Sequence, residues 1–297
     1  MQVGLIGLGA MGSAISGNVL GAGFPLTVFN RTPAKAAPLA KQGARVASTP
    51  ADAAHDVVIT MLADDQAVEA VIFGAGGVLA AMKRGAIHVS MSTISVALSE
   101  RLAEAHRSAG QIFVSAPVFG RPDAAAAAKL FIAAAGPREA LARLMPLFDK
   151  IGQRVFIIGD EPAKANLVKL SGNFLITSVI EALSEAFALT RKGGVNPDVF
   201  LELLLGTLFG APVYKTYGGL IKDERFEPAG FSARLGHKDV SLALAAAREL
   251  GVPMPVADLI EARLATLISS GGGELDWSAL GKLAAEQAGL SSDKTAG

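Results

Sequence analysis

Three glycines near the start of the chain stand at the spacing of a dinucleotide-binding loop. Residues 4–12 read GLIGLGAMG, which sets a G-x-G-x-x-G pattern at Gly7, Gly9 and Gly12. The first glycine permits a tight turn from strand to helix, the second lets the backbone approach a pyrophosphate, and the third lets the helix pack closely on the strand. We therefore expect the phosphates of a dinucleotide to bind at Gly7, Leu8, Gly9, Ala10, Met11 and Gly12.

The residues after the second predicted strand bear on which dinucleotide binds. Leu26–Phe29 is followed by Asn30, Arg31 and Thr32, at the position that meets the adenosine ribose. An NAD-selective site places Asp or Glu there, and that carboxylate would repel a 2′-phosphate. Here Asn30 is neutral, Arg31 offers a planar charged fork and Thr32 a hydroxyl donor, so these residues predict NADP(H). The alternative for Arg31 is a solvated loop arginine.

A second candidate for chemistry lies in the other half of the chain. Lys169 and Asn173 are four residues apart in a helical pattern, so they share one helix face. The surrounding sequence is mainly apolar, and a partly desolvated ammonium near a domain junction would donate to a carbonyl oxygen as hydride arrives. Asn173 would fix the substrate oxygen or the lysine geometry. From these residues alone, a surface lysine with an asparagine neighbour is the simpler interpretation.

The elements that must position these residues change in character along the chain. Short β-branched runs alternate with Ala- and Leu-rich helical patterns as far as Pro162, which predicts an α/β Rossmann domain with a doubly wound, mostly parallel sheet. The predicted strands are Gln2–Ile6, Leu26–Phe29, Val57–Leu62, Ile87–Ser90, Ile112–Ser115, Leu130–Ala135 and Val155–Ile158. We therefore expect a cofactor-binding domain over residues 1–162.

Beyond Pro162 few runs are typical of strands, and we expect an all-α domain over residues 163–297. The predicted helices are Ala163–Lys192, one from Pro197 to Leu205, Lys238–Leu250 and Val256–Ile268, with loops at Gly193-Gly194 and Gly218-Gly219. The last seven residues, 291–297, are expected to fray.

Composition limits the possible partners and metal sites. The 297 residues carry 27 Lys+Arg and 27 Asp+Glu with no block of like charge, so neither nucleic acid nor an anionic membrane is an expected partner. There is no cysteine, and the histidines at 55, 88, 106 and 237 are scattered in sequence, so no metal site is predicted. No window has the length and apolarity of a membrane-spanning helix and no signal peptide is recognised, so we expect a cytoplasmic protein.

Taken together and in order, the motifs resemble those of the β-hydroxyacid dehydrogenase family over nearly the whole chain. That family includes 3-hydroxyisobutyrate dehydrogenase, tartronate semialdehyde reductase and the glyoxylate/succinic semialdehyde reductases. The matching motifs are the glycine loop, Met61-Leu62 after a strand, Ser92-Thr93-Ile94, the pair Lys169 and Asn173, and Lys238-Asp239 preceded by Phe231.

The resemblance implies a Rossmann domain followed by an all-helical domain, with Lys169 as general acid/base. It also implies that Met61 and Leu62 lie along the cofactor, Thr93 at the nicotinamide and Ser92 at the substrate, and that Lys238 closes over the cofactor. Members are commonly dimeric or tetrameric through the helical domain, so a homodimer or higher homo-oligomer is expected.

One motif departs from the family pattern. The family's substrate loop reads DAPVSGG, whereas residues 115–121 of this chain read SAPVFGR. Phe119 replaces the serine that would donate to a substrate carboxylate, so a small hydroxyacid loses a hydrogen bond unless Arg121 supplies a charge-assisted one. Arg121 pointing to solvent, or pairing with Asp123, is an equal alternative. The substrate is expected to contact Phe119, Gly120 and Arg121 as well as Lys169 and Asn173.

The expected activity is NADP(H)-dependent interconversion of a small aldehyde or ketone and its alcohol, of the 3-hydroxyacid or semialdehyde type. Two alternatives stay open at this point. An imine reductase or reductive aminase shares the architecture, although such enzymes typically lack the lysine at position 169. A non-catalytic NADP-binding scaffold is the other, and Lys169 argues against it too.

Overall fold

The computed structural model describes residues 1–290, and the predicted frayed tail, residues 291–297, lies outside the described residues. The chain divides into two compact units, of which unit 1 is Met1–Leu170 and unit 2 begins at Ser171. The division falls inside a long helix, eight residues beyond the domain boundary that composition indicates at residue 162. Unit 1 contains two clusters of buried apolar residues, and unit 2 contains a further one.

Unit 1 is an α/β layer structure, as the alternating pattern predicts. In chain order its elements are β1 (Val3–Ile6), α1 (Ala10–Gly21), β2 (Leu26–Phe29), α2 (Ala37–Lys41), β3 (Arg45–Val46), β4 (Val57–Thr60), α3 (Asp65–Phe73), α4 (Val78–Ala81), β5 (Ile87–Ser90), α5 (Val96–Ser108), β6 (Ile112–Ser115), β7 (Val118–Phe119), α6 (Pro122–Ala126), β8 (Leu130–Ala135), α7 (Arg138–Phe148) and β9 (Gly152–Gly159).

The sheet has the strand order β3-β2-β1-β4-β5-β6-β8-β7, and β9 pairs with β8. The first six strands are mutually parallel, with Val3 opposite Leu26 on one side and Val57 on the other. Strands β6 and β7 are antiparallel to β8. The chain turns to opposite sides of β1, so the carboxyl end of that strand is the topological switch point where such sheets bind ligands.

The central strands are apolar on both faces, because helices cover the sheet on each side. All four residues of β1 and of β4 are buried. One core packs Leu5, Ile59 and Val89 with other apolar residues, and the second packs Ile6 and Val58. These alternate along the strands, as the period of two requires, and the buried strands set the glycine loop on a rigid platform.

Unit 2 is built of helices. The long α8 (Pro162–Lys192) starts in unit 1 and is followed by α9 (Pro197–Gly206), α10 (Pro212–Lys222), α11 (Ala233–Leu250), α12 (Pro255–Ser269) and α13 (Leu280–Gln287). The chain's one tryptophan, Trp277, is 2% exposed in this core. The ring of Phe231 packs edge-on against it with centroids 4.6 Å apart, and Tyr217 does so at 5.8 Å.

Two glycine-containing segments are helical where the sequence indicated otherwise. The predicted loop at Gly218-Gly219 is wrong, because both residues lie inside α10. A Cβ at Gly218 would come within 2.7 Å of the Leu201 side chain, so the glycine permits close helix packing. Likewise α11 begins five residues before the predicted Lys238, and Gly236 in its first turns packs on Trp277, where a Cβ would lie 2.9 Å from the ring.

Helix α8 also corrects the expectation that no window has the character of a membrane span. Among the described residues, α8 is a helix whose length and apolar composition would allow it to cross a bilayer. The core helix of a soluble protein can have the same length and composition, so this property alone does not place α8 in a membrane. Its polar residues Asn166, Lys169 and Asn173 are buried within the protein.

Candidate active site

The glycine loop follows β1 directly and has the backbone that its sequence predicts. Gly7 has a φ of +102°, in the region that favours glycine, and a Cβ there would lie 2.2 Å from the carbonyl oxygen of Met61. A Cβ at Gly12 would lie 1.9 Å from the carbonyl oxygen of Gly7. Both positions therefore admit only glycine, and Gly12 sets α1 close to the turn.

Gly9 differs from its two neighbours in having open space beside it. A Cβ at Gly9 would meet nothing within 4 Å, and both Gly9 and Ala10 are exposed. Gly9 caps α1 without a side-chain hydrogen bond, and the first turn carries no acidic residue. Exposed N–H groups at a helix N-terminus attract phosphate, so this cradle fits the pyrophosphate of a dinucleotide. Within the loop Leu8 is buried, and Met11 on α1 is half-buried.

Asn30 ties the end of β2 to the glycine loop. Its Oδ1 accepts from the backbone N–H of Leu8 at 2.9 Å, and its Nδ2 donates to the carbonyl of Thr32 at 3.0 Å. Arg31 and Thr32 are exposed beside it. The end of β2 thus presents a neutral amide followed by a guanidinium and a hydroxyl, and no carboxylate stands where the ribose hydroxyls are expected.

The ends of β4 and β5 are joined by a buried serine. The Leu62 N–H donates to Ser92 Oγ at 2.8 Å, and that hydroxyl donates to the Thr60 carbonyl at 3.3 Å. Met61 and Leu62 are half-buried at this edge, as is Thr93. The fully buried Ser92 therefore fixes the loop that carries Met61 and Leu62, while its contact with substrate stays a prediction.

A buried chain of hydrogen bonds runs back from the same edge. Thr60 Oγ1 lies 3.0 Å from His88 Nε2, His88 Nδ1 lies 2.9 Å from His106 Nε2, and His106 Nδ1 lies 2.7 Å from Gln111 Oε1. The Gln111 amide donates to two backbone carbonyls, so its oxygen must accept, and every link then points one way from Thr60. Two of the four scattered histidines thus meet in the core.

Both rings are held neutral. Burial disfavours the imidazolium and lowers the pKa of His106 from 6.5 to about 4. Burial lowers the pKa of His88 well below its usual value, and the neighbouring His106 adds to this.

Lys169 lies in unit 1, on the first turns of α8, and is 9% exposed. Its Nζ lies 4.3 Å from the centroid of the Phe119 ring, a cation–π distance. One turn earlier on α8, the fully buried Asn166 accepts from the Ser115 hydroxyl at 2.6 Å. The unit therefore brings Lys169 against the loop at residues 115–121.

The rest of that loop is shaped by β7 and α6. Gly120 has a φ of +141°, and a Cβ there would lie 2.7 Å from the Leu130 side chain. Gly120 is exposed, and Arg121 is half-buried at the N-cap of α6. Whether Arg121 meets substrate stays a prediction.

In unit 2 two other predicted residues, the buried Asn173 and the half-buried Lys238, meet at Asp239. The Asn173 amide donates to Asp239 Oδ2 at 2.5 Å, and Lys238 Nζ lies 2.9 Å from Asp239 Oδ1. Asn173 is 2% exposed and Asp239 1% exposed. One carboxylate thus holds both Asn173 and Lys238 in place.

Two polar residues that the structure places beside the predicted site residues, Asn166 and Asp239, are not in the predicted set. Asn166 stands three residues before Lys169, so a polar spacing of three to four within an apolar helix was the available signal. Asp239 was visible beside Lys238, but its bond to Asn173 spans 66 residues and needs the fold.

Comparison with known proteins decides the family. Residues 2–159 match the family model described as the NAD binding domain of 6-phosphogluconate dehydrogenase. Residues 163–284 match the model described as NAD-binding of NADP-dependent 3-hydroxyisobutyrate dehydrogenase. The chain belongs to the β-hydroxyacid dehydrogenase family.

Relatives of this β-hydroxyacid dehydrogenase family member cover almost all of it. It is 50% identical to an uncharacterized oxidoreductase of Bacillus subtilis over 282 residues, 94% of this chain and 98% of the relative. It is 37% identical to glyoxylate/succinic semialdehyde reductase 1 of Arabidopsis thaliana, over 94% of this chain and 97% of the relative. The crystal structure of 3-hydroxyisobutyrate dehydrogenase from Salmonella typhimurium is 27% identical with a TM-score of 0.86, covering 95% and 99% of the two chains.

These matches confirm a Rossmann-like N-terminal part followed by a helical part. They also confirm that this β-hydroxyacid dehydrogenase family member is a pyridine-nucleotide-dependent oxidoreductase.

Proposed function

We propose that the protein interconverts a small aldehyde or ketone and the corresponding alcohol with NADP(H), acting on substrates of the 3-hydroxyacid or semialdehyde type. The observation that carries the proposal is Lys169, a buried ammonium in the same unit as the glycine loop and against the loop at residues 115–121. The glyoxylate and succinic semialdehyde named for the Arabidopsis relative support this substrate class.

The glycine loop with Met61, Leu62 and Thr93 would hold the cofactor, whose reduced nicotinamide would supply a hydride for the carbonyl carbon. As the carbonyl oxygen gains negative charge, the ammonium of Lys169 donates a proton to it, and in oxidation the neutral amine accepts the proton from the alcohol. Asn173, held by Asp239, orients the reacting oxygen. Backbone N–H groups near Gly120, which is exposed, hold the distal end of the substrate.

Residues after β2 support NADP(H) over NAD(H). Arg31 is exposed and available for a charge-assisted bond to a 2′-phosphate, with Thr32 as a second donor. Asn30, whose Oδ1 accepts from the Leu8 N–H, has a neutral amide side chain and so does not repel the phosphate.

Substrate-dependent oxidation of NADPH tests the activity and the role of Lys169 together. The panel contains glyoxylate, succinic semialdehyde, an aromatic aldehyde and a cyclic imine. We expect turnover of a carbonyl compound, and a loss of about 100-fold or more in kcat for Lys169→Ala with NADPH affinity nearly unchanged. Lys164→Ala, on the same helix but exposed in an ion pair with Glu161, is the matched control.

Other outcomes would reject the proposal in distinct ways. Turnover of the imine alone would indicate an imine reductase, and no turnover with intact NADPH binding would indicate a scaffold. Equal loss of NADPH binding in Lys169→Ala would mean that the lysine holds the cofactor and not the proton.

We also propose a homodimer through the helical part of the chain. Leu175 and Leu189 are 62% and 74% exposed, and with the exposed Ala182 they recur every seven residues along α8. Such a seam is typical of helices that pack together, and apolar patches of this kind mark interfaces. Leu175→Glu with Leu189→Glu should convert a dimer to a monomer in light scattering after size-exclusion chromatography. A wild-type monomer, or a dimer that survives both changes, would reject this.

A further inference from the structure

Phe119 stands where the family pattern has a serine, and its aromatic face lies against the proposed acid. The Lys169 ammonium is 4.3 Å from the ring centroid. An aromatic face carries negative charge density and attracts a cation without needing an anion. At a side chain that is 9% exposed, little water competes for that cation.

Phe119 and Lys169 both belong to regular secondary structure. Phe119 belongs to β7, where it pairs directly with Phe131 of β8. Lys169 projects from α8, one turn after Asn166, which accepts from Ser115 four residues before Phe119. Two contacts, one polar and one aromatic, therefore join the segment from residue 115 to 119 to the start of α8.

Other charged side chains lie on or beside the same elements. Asp123 and Lys129 line a cavity of about 570 Å³ on which Phe119 also borders, and they carry opposite charges. Arg121, on the same loop, is a cation like Lys169. On α8 itself, Lys164 is paired with Glu161 at 2.8 Å.

We propose that Phe119 is a positioning residue that holds Lys169 as an ammonium ion aimed at the substrate, and so prepares the site for carbonyl reduction. The proposal rests on the proposed function for its consequence, since an ammonium donates the proton that reduction requires. The replacement of serine by phenylalanine then removes a donor for a substrate carboxylate and supplies a surface for the catalytic cation.

Fluorinated phenylalanines placed at position 119 test the aromatic contact directly. Each fluorine withdraws charge from the ring face while nearly preserving its shape. In apo protein carrying ¹³C-lysine, the Lys169 signal is assigned by its loss in Lys169→Met and titrated by NMR. We compare rings that carry no fluorine, three fluorines and five fluorines. We expect the pKa of the Lys169 ammonium to fall at each step, by about 0.5 to 1.5 pH units over the whole series.

The same analogues at Phe131, directly across the strand pair and 42% exposed, control for general effects of fluorine. An unchanged titration across the series at 119 would overturn the proposal, as would an equal shift from the series at 131. Phe119→Tyr and Phe119→Leu provide a second route: the tyrosine variant should keep the wild-type titration and the leucine variant should lower it.

The pH profile of NADPH-dependent reduction distinguishes this proposal from the proposed function. If a carbonyl compound is turned over, the decline of kcat/KM at high pH should move down in the same order across the fluorinated series as the NMR titration. If nothing is turned over, the proposed function fails, but the NMR titration still decides whether the ring holds the cation. Turnover that depends on Lys169, with no shift in the NMR titration or in the pH profile, would reject the positioning role of Phe119 and leave the proposed function intact.

Discussion

The buried pair His88 and His106 predicts that the protein loses stability as the pH falls below about 6.5. Unfolded histidines take up protons near that pH, whereas in the folded protein the pKa of His106 is about 4. Stability is therefore fully present above pH 6.5, where the ring is neutral in both states. It declines as pH falls toward 4, because only the unfolded chain binds the proton.

The size of the effect follows from the two pKa values. One pH unit corresponds to about 1.4 kcal/mol, so lowering the pH from about 7.5 to about 5 costs about 2 kcal/mol through His106 alone. The pKa of His88 is lowered in the same direction, so the loss for the pair is larger. Protonating either ring also reverses a link in the chain of hydrogen bonds between Thr60 and Gln111.

Urea unfolding followed by far-UV circular dichroism at the two pH values measures this loss. The comparison is the double variant His88→Leu with His106→Leu, in which carboxylate titrations are retained and cancel in the difference. Between the two pH values, we expect the free energy of unfolding of the wild type to fall by about 2 kcal/mol or more beyond the fall in the double variant. His237→Gln, which removes a partly exposed histidine paired with Glu261, should behave like the wild type.

A difference below about 0.5 kcal/mol would refute the reasoning. Should the double variant not fold, NMR titration of the imidazole signals in the wild type gives the answer independently. Signals of His88 and His106 that titrate near 6.5 would show that the pair is not held neutral.

Three further predictions concern Arg31 after β2, the glycine loop, and Asp239 with its partners Asn173 and Lys238. Arg31→Ala should weaken NADPH binding about 10- to 100-fold in a fluorescence titration and NADH binding much less; similar losses would reject a phosphate-reading role. Gly12→Ala should reduce affinity for either nucleotide at least tenfold, because its Cβ would strike the Gly7 carbonyl, whereas Gly17→Ala on the same helix meets open space and should bind normally. Asp239→Asn should lower the free energy of unfolding by about 1–3 kcal/mol, measured by urea unfolding, because a buried carboxylate that serves two partners is lost; an unchanged value would reject its role in holding these partners.

The sequence predicted the parts of the fold that depend on local pattern. Strands such as Ile87–Ser90 end where the β-branched runs end, and α8 starts one residue before its predicted bound. The glycine loop was predictable because its requirements are local: a positive φ at Gly7 and a close approach at Gly12 both arise within one turn of chain.

Long-range packing accounts for the errors. Gly218 and Gly236 suggested loops or late helix starts because glycine is unfavourable inside a helix, but each faces a bulky side chain, Leu201 or Trp277, that leaves no room for a Cβ. Likewise the meeting of His88 with His106 depends on helix α5 returning over β5. No spacing rule within one element indicates such contacts.

The tryptophan and tyrosines, which give the intrinsic fluorescence of the protein, all lie in one of the two units. Trp277, Tyr214 and Tyr217 are the only tryptophan and tyrosines in the sequence, and all three belong to unit 2. Near-ultraviolet absorption and intrinsic fluorescence above about 280 nm therefore originate in unit 2, while the histidine pair titrates in unit 1. Without any added label, an acid titration that records both the fluorescence of unit 2 and the imidazole NMR signals of unit 1 can establish whether the two unfold together or one after the other.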